Sequence, residues 1–464
     1  MKKRLLIFLF LALWLVTSVV TVYRALDKTN DFDTFYEAGR TMLAGESLYA
    51  VSSDEEPAPL VSPFLYPPFA ACLFSVFARL PIAPSAFIWN TVSVLVFSIA
   101  IWLSVWILKP SVSDAWNRGG FSGRFDTLFL GAAAGAIVVD NLSMAQANIL
   151  VFALTMGAIF CWFKGLRVIA GVALASAVWI KVTPLFFLIY FAAKRRWRIV
   201  VGFLLGSMLF AVAIPAVTMG LETSMKAHGD WARRMLGPAS TEWQGWDLEG
   251  QINLLSPKGV DPVTGKLRDR AIRTRERQRK ARIDYLLNQK IQSLDATLAR
   301  LFLKDRREYG YNYAYPVSNA RKYDGLPVLG RGIPEEWLGL FLSGILGLFL
   351  FMFAGACWIF GARRGGSPEN EISFVFLTMT LLAMFVRSHH YIVWLFPFLV
   401  ALGTYTSRPR HQWFLLWCVR LGIVLYFAQA LPYGKAVGMG TLANVILWAG
   451  FGTVALRSSL SARS

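Results

Sequence analysis

Charge is scarce in this chain. Of its 464 residues only 16% are charged and 56% are hydrophobic, with a mean hydropathy of +0.49, whereas an ordinary soluble domain carries about 25% charge. A soluble chain of this length needs more polar surface and a disordered one needs less apolar content, so both classes are excluded. Acid is scarcer than base, 28 Asp+Glu against 47 Lys+Arg, for a net +19. A basic balance can mark a nucleic-acid partner, but here the basic residues lie between apolar runs and no recognition motif accompanies them, which argues against nucleic acid. There are only four cysteines, Cys72, Cys161, Cys357 and Cys418. None forms a CxxC pair and each lies in or beside an apolar run, so neither a disulfide framework nor a zinc site follows. No internal repeat of roughly 20–50 residues is visible, nor an inverted repeat of the kind transporters carry.

What the chain has in abundance is apolar runs approaching the length needed to cross a bilayer, about 20 residues. The first, Leu5 to Val22, follows Met1-Lys2-Lys3-Arg4 and ends in no small-residue cleavage site. It reads as a retained helix with a cytoplasmic N-terminus. Others fall near 86–108, 126–140, 146–163, 199–219, 336–360, 371–386, 391–406, 412–431 and 438–456. The stretch 168–193 is interrupted by Lys181-Val182-Thr183-Pro184. A charge and a proline at mid-bilayer are costly, so two helices meeting at a turn are expected there. The sum is an all-α polytopic membrane protein, one unit over 1–464 with about 12 transmembrane helices.

The segment 66–85 is the exception. Its short apolar run, 66–80, opens with Tyr66-Pro67-Pro68 and ends at Pro81. If it does not cross, Lys164/Arg167, Lys194-Arg195-Arg196/Arg198, Arg363-Arg364 and the other basic clusters share the cytoplasmic side; if it crosses, every later segment inverts. The positive-inside bias therefore makes it a re-entrant or interfacial hairpin. Both termini are then cytoplasmic, in a bacterial-type plasma (inner) membrane. Five features gather on the outer face: the acidic first loop 24–65, the turn Asp140–Gln146, the Lys181 turn, the large loop 220–335 and Arg387-Ser388-His389-His390. In the large loop, Lys266–Arg282 is a dense charge run suited to solvent or anionic lipid. Leu294, Leu298 and Leu301 continue a helical stripe begun at Ile283, and tyrosines alternate from Tyr309 to Tyr315.

The outer residues suggest chemistry. Asp31 and Asp33 stand just past the first helix, where a carboxylate can accept a proton from a hydroxyl and still ionise; the plainer reading makes Asp31 the cap of a helix starting near Thr34. Gln146 and Asn148 open a membrane helix, as inter-helix bridges or as ligand contacts. Lys181 needs an anion, water or a route to the interface. Arg387, His389 and His390, when charged, offer donors to a phosphate, or their segment serves as an interfacial anchor with Tyr391 and Trp394, and adjacent histidines on a helix diverge too far for a metal pair.

In order along the chain these segments form a set. Asp31-Phe32-x-x-x-Tyr36-x-Ala38-Gly39, then Leu43-x-Gly45-x-x-Leu48-Tyr49 and Tyr66-Pro67-Pro68, resemble the opening of the polyprenol-phosphate-mannose-dependent mannosyltransferases, glycosyltransferase family 87 of the GT-C superfamily. Ala145-Gln146-x-Asn148 is similar to the family's GQxN, with alanine in place of glycine. Lys181-x-x-Pro184, Gln292-Ser293-Leu294 with Arg300, and His389-His390-Tyr391 with Pro397 resemble three later family motifs. The resemblance implies a GT-C-like bundle. Asp31 is the implied general base, with Asp33 as the fallback. Lys181, Arg387, His390 and Arg300 are implied at the donor phosphate, and Tyr36, Tyr66, Gln146, Asn148, Gln292 and His389 at the substrates.

The expected activity is transfer of a hexose, mannose first, from a polyprenyl-phosphate donor to a glycolipid or glycan acceptor outside the cytoplasm, with inversion and with neither metal nor cofactor. The alternatives are a lipid-linked glycan polymerase or ligase, and a flippase or transporter of lipid-linked sugars. A polymerase is not expected to carry the early Asp-rich loop, and a transporter would spread polar groups through mid-bilayer.

Overall fold

The computed structural model describes residues 2–27, 30–49, 64–108, 124–236, 292–303, 332–363, 366–383, 386–407, 413–431, 434–435 and 437–461. Lys266–Arg282, Ile283–Ile291 and Tyr309–Tyr315 lie outside the described residues. Among those described, regular structure is helical, apart from one isolated bridge between Leu303 and Ile333. Apolar runs take this form because a backbone in hydrocarbon must satisfy its own hydrogen bonds.

The helices are α1 (Lys2–Leu26), α2 (Phe32–Leu43), α3 (Pro68–Ser75), α4 (Ile82–Ile107), α5 (Arg124–Ser143), α6 (Asn148–Phe163), α7 (Arg167–Ile180), α8 (Leu185–Ala193) and α9 (Trp197–Ser207). A π-helical stretch, Met208–Ala213, carries α9 into α10 (Ile214–Met219). Then come α11 (Leu221–Leu236), α12 (Leu294–Phe302), α13 (Glu335–Ala362), α14 (Pro368–Leu381), α15 (Leu395–Ser407), α16 (Trp413–Ala428) and α17 (Met439–Ser461).

Among the described residues, four stretches are long and apolar enough to cross a membrane: Ile82–Ile107, Trp197–Met219, Trp337–Ala362 and Met439–Ser461. The pair Leu128–Ser143 and Asn148–Phe163, bent by 119° at its break, passes the same test jointly. The chain is a multi-pass helical membrane protein. The expected twelve crossings go further, because they include shorter helices such as α7 and α8, about 21 and 14 Å long at 1.5 Å per residue.

The expected interruption at Lys181 is present. Lys181 is extended (φ −152°, ψ 123°) and ends α7, and Pro184 stands at the N-cap of α8. The 66–80 run yields only α3 and a single 3₁₀ turn, Phe77–Arg79. Eight helical residues reach about 12 Å, well short of the ~30 Å hydrocarbon. Two boundaries differ from the sequence expectation. The run 371–386 is helical only to Leu381, and the helix expected from 391 begins earlier, as a 3₁₀ turn at Ser388–Trp394. The cause is that carbonyls near this break serve other elements: Val386 O accepts from Gln292 N (2.6 Å), and His389 O accepts from Asn141 Nδ2 (2.6 Å).

Three packings set the site. Asn90, buried on α4, donates to Thr17 Oγ1 (3.2 Å) and Ser18 Oγ (2.9 Å) of α1. Thr21 Oγ1 donates to Leu142 O of α5 (2.8 Å), and Asn30 Nδ2 donates back to Thr21 O (3.1 Å). Polar bonds of this kind hold helices where the hydrophobic effect cannot, and here they fix the end of α1. Next, α2 lies against α3: Phe35 stacks on Phe74 at 4.5 Å, and a Cβ on Gly39 would meet Phe74 O at 2.8 Å, so the motif glycine is where two backbones touch. Finally, α7 and α9 approach through Gly171 and Gly202, each of whose missing Cβ would collide with the other helix's backbone. This close small-residue contact sets the position of α7, whose end carries Lys181.

Candidate active site

Asp31 occupies the N-cap position of α2, yet its side chain makes no capping bond. The backbone is anchored by Asp31 N donating to Met144 O (3.1 Å). The carboxylate turns instead to the α5–α6 connection and accepts from Gln146 Nε2. Arg387 Nη1 lies 3.9 Å from one oxygen and His389 Nε2 3.9 Å from the other. The carboxylate is 19% exposed. Burial raises its pKa above the ordinary carboxylate value, opposed by Arg387, the Gln146 bond and Lys181. Such a group is a stronger base than a solvated aspartate and still ionises beside its cations. The capping reading of Asp31 is therefore not what the fold uses.

Gln146 and Asn148 are both buried and form a relay. Asn148 Nδ2 points to Gln146 Oε1 (3.5 Å) and to His389 O (3.4 Å), and its Oδ1 accepts from Lys181 Nζ (2.7 Å). Lys181 thus reaches the cluster from the α7–α8 turn, 5.7 Å from the Tyr66 ring centre. Burial lowers its pKa to about 7, with Asp31 pulling it upward. The aromatic ring of Tyr66 packs on Phe35 (4.6 Å), and burial and the Asp31 charge raise its hydroxyl pKa. Lys181 also lines a small cleft with Asn148, Thr183, Thr380, His390 and apolar Val151 and Val393.

The two histidines are neutral at pH 7, because burial first and Lys181 second hold both well below the usual imidazole value. His390 Nδ1 accepts from Arg387 N (3.1 Å), which places its proton on Nε2. A contribution of His390 to phosphate binding is then that of a neutral donor and not of a cation.

Other expected residues lie elsewhere. The Tyr36 hydroxyl donates to Leu80 O (2.8 Å), tying α2 to the turn after α3. Asp33 is buried on the first turn of α2, outside the ion pairs described for Asp31. Gln292 and Arg300 form a separate layer with α17: Gln292 Nε2 donates to Lys435 O (2.9 Å), Thr441 Oγ1 donates to Gln292 O (2.7 Å), and Arg300 Nη2 donates to Thr297 Oγ1 (3.1 Å). This layer touches the site through Gln292 N on Val386 O, one residue before Arg387. Sequence reading missed Asp140 and Ser388, which pair through Ser388 Oγ donating to Asp140 Oδ2 (2.7 Å). The available signal was a carboxylate at the end of an apolar run, a costly placement.

Ala145 has φ 50°, the left-handed region. There a Cβ crowds the backbone at about 1 kcal/mol or more, and its carbonyl is held by Trp89 Nε1 (2.9 Å). Ala145→Gly relieves the strain, and thermal unfolding in detergent should show a gain of about 0.5–1 kcal/mol. A loss would mean that the methyl's packing outweighs the backbone term.

Comparison with known proteins reaches part of this site: Tyr66, Gln146, Asn148 and Lys181 fall within the matched stretch and Asp31, Arg387 and His389 outside it. The family model of Glycosyltransferase family 87 matches residues 64–254. A polyprenol-phosphate-mannose-dependent alpha-(1-2)-phosphatidylinositol mannoside mannosyltransferase of Mycolicibacterium smegmatis is 30% identical over 177 residues, 36% of this chain and 38% of the relative. The protein of the same description from Mycobacterium tuberculosis is 32% identical over 211 residues, 41% of this chain and 47% of the relative. The chain thus spans less than half the length of these relatives. No solved structure matches. The resemblance read from the motifs is borne out by these matches.

Proposed function

We propose that the chain is an integral-membrane mannosyltransferase of the GT-C type. It moves mannose from a polyprenyl-phosphate donor to a lipid-linked acceptor, with a phosphatidylinositol mannoside as the first candidate because both similar relatives are named for it. The observation that carries this reading is the convergence of Asp31, Gln146, Asn148, Lys181, Arg387 and His389 at one end of the bundle, beside a cleft with an apolar wall.

The chemistry divides between the two sides. Asp31 takes the proton of the acceptor hydroxyl, whose oxygen attacks the anomeric carbon as the bond to the phosphate oxygen breaks, inverting the centre. The leaving group is a phosphate monoester, stable as an anion, so it needs positive charge and no proton. Lys181 and Arg387 supply that charge and His390 a neutral donor, and no metal or cofactor takes part. The apolar cleft beside Lys181 receives the first isoprene units. Arg387 stands 3.9 Å from the base, and holding the two substrates in line supplies much of the rate. In the proposed orientation the site faces out of the cytoplasm, the basic turns at Lys164 and Lys194 face in, and α3 lies re-entrant under the site.

Lys181 tests the donor assignment. Lys181→Ala should weaken donor binding at least tenfold with acceptor binding within about twofold, read by titrating polyprenyl-phosphate mannose and acceptor separately. Because the free amine titrates near 7 and a phosphate favours its charged form, donor binding takes up a proton above that pH. Wild-type affinity should fall as pH rises from about 7, by up to about tenfold per unit, and the slope should vanish in Lys181→Ala. A variant that loses acceptor binding instead would overturn the phosphate role.

A further inference from the structure

Asp140 stands in no sequence motif, yet the fold brings it to the reacting end. At the last turn of α5 its Oδ2 accepts from Ser388 Oγ (2.7 Å) and lies 3.9 Å from His389 Nδ1. On the opposite edge of the same ring, Nε2 lies 3.9 Å from Asp31 Oδ2, buried and with no hydrogen-bond partner among the described residues. The neighbouring Asn141 Nδ2 clamps the backbone carbonyl of His389 at 2.6 Å. His389 is only 3% exposed, so the ring is held between two carboxylates with little room to turn.

We propose that Asp140 is a positioning residue for the transfer reaction, fixing His389 with its proton on Nδ1 and its Nε2 lone pair toward Asp31. This rests on the reading of Asp31 as the base. A neutral imidazole carries one proton, and a carboxylate beside one nitrogen draws the proton to that nitrogen. Carboxylates stand 3.9 Å from both nitrogens, but the charge of Asp31 is offset by Arg387 and Lys181 and its Oδ2 already accepts from Gln146, so Asp140, tethered by Ser388, draws the proton to Nδ1. Nε2 is then an acceptor. Once Asp31 has taken the proton of the acceptor hydroxyl, the Nε2 lone pair 3.9 Å away no longer faces an anion and can accept that proton's hydrogen bond as the gap closes, which stabilises the protonated product of the step. Without Asp140 the other tautomer faces N–H toward the ionised Asp31, which stabilises the base before reaction and slows it. The other charged or titratable groups facing His389 are Lys181 from the α7–α8 turn and Arg387 and His390 from its own segment.

The test is steady-state kinetics across pH on the full-length protein in lipid. Asp140→Asn should lower kcat about 10–100-fold with donor KM within about twofold, and it should move the acid limb of kcat/KM to lower pH, since a negative charge near Asp31 is gone. His389→Gln should lose activity alone, and adding Asp140→Asn to it should cost nothing more. Ser388→Ala, which removes only the tether, should lower kcat in the same direction. Wild-type kcat in Asp140→Asn or in Ser388→Ala, additive losses in the double variant, or an effect on KM alone would each overturn the role. Asp31→Asn is run alongside. If that variant turns over normally, the transfer reading itself fails, whereas an inactive Asp31→Asn beside a normal Asp140→Asn removes only the positioning role.

Discussion

Asp31→Asn should reduce sugar transfer by at least about a thousandfold, within the range a general base supplies, while folding and donor binding persist. The substitution is nearly isosteric. The amide oxygen still accepts from Gln146, and the helix cap is not lost, because Asp31 makes no capping bond. What disappears is the ability to hold a proton. The same account fixes a pH dependence. The rate requires the ionised form, and burial raises the Asp31 pKa, so activity falls with acidification through a midpoint above the ordinary ~4 of a solvated carboxylate. Donor affinity in Asp31→Asn, titrated with polyprenyl-phosphate mannose in the absence of acceptor, should stay within about threefold of wild type. Activity near wild type would remove Asp31 from the chemistry and move attention to Asp33.

The second large effect is on stability and lies at the opposite end of the bundle. Glu371 on α14 is fully buried, pairs with Lys194 at the end of α8, and accepts from Tyr190 OH (2.7 Å). Ser459 of α17 closes the group, and a Cβ on Gly366 would strike both Glu371 and Ser459. A buried ion pair costs desolvation, and breaking one side of it leaves a buried charge without a partner. Glu371→Ala should therefore destabilise the protein by about 3–5 kcal/mol, whereas replacing the pair together, Glu371→Met with Lys194→Met, should cost much less. Thermal unfolding in detergent or nanodiscs reads both. Equal losses in the single and double variants would show that the group's value lies in its hydrogen bonds and not in charge compensation.

Much of the fold was legible because hydrocarbon constrains the backbone so strongly. Run lengths gave the helices, the Lys181–Pro184 interruption gave the break between α7 and α8, and proline at both ends of 66–80 gave a segment too short to span. The segment 382–391 was not legible. Its apolar residues continue the hydropathy signal, but its carbonyls pair with Gln292 and Asn141, contacts between residues distant in sequence that no local pattern records. The site divides in the same way. Gln146, Asn148 and Lys181 were visible as polar residues in apolar surroundings, and the fold brings them together with Asp31 and Arg387 at one end of the bundle. Asp140 carried a weak signal as a carboxylate ending an apolar run, but a solvated helix terminus reads the same way, and only the fold turns it to His389. Tyr36 shares a motif with Asp31 but one helical turn carries it away, toward Leu80.

Sugar transfer from a lipid phosphate is read most directly by following both lipids in one reaction. The purified chain in lipid nanodiscs is given polyprenyl-phosphate mannose and a phosphatidylinositol mannoside, and both lipids are followed by mass spectrometry. The account predicts that free polyprenyl phosphate and an acceptor heavier by one hexose appear in equal amounts, with inverted anomeric configuration, and that Asp31→Asn yields neither. An intact donor across a panel of polyprenyl-phosphate sugars and lipid acceptors, with the donor merely moved between leaflets, would contradict it.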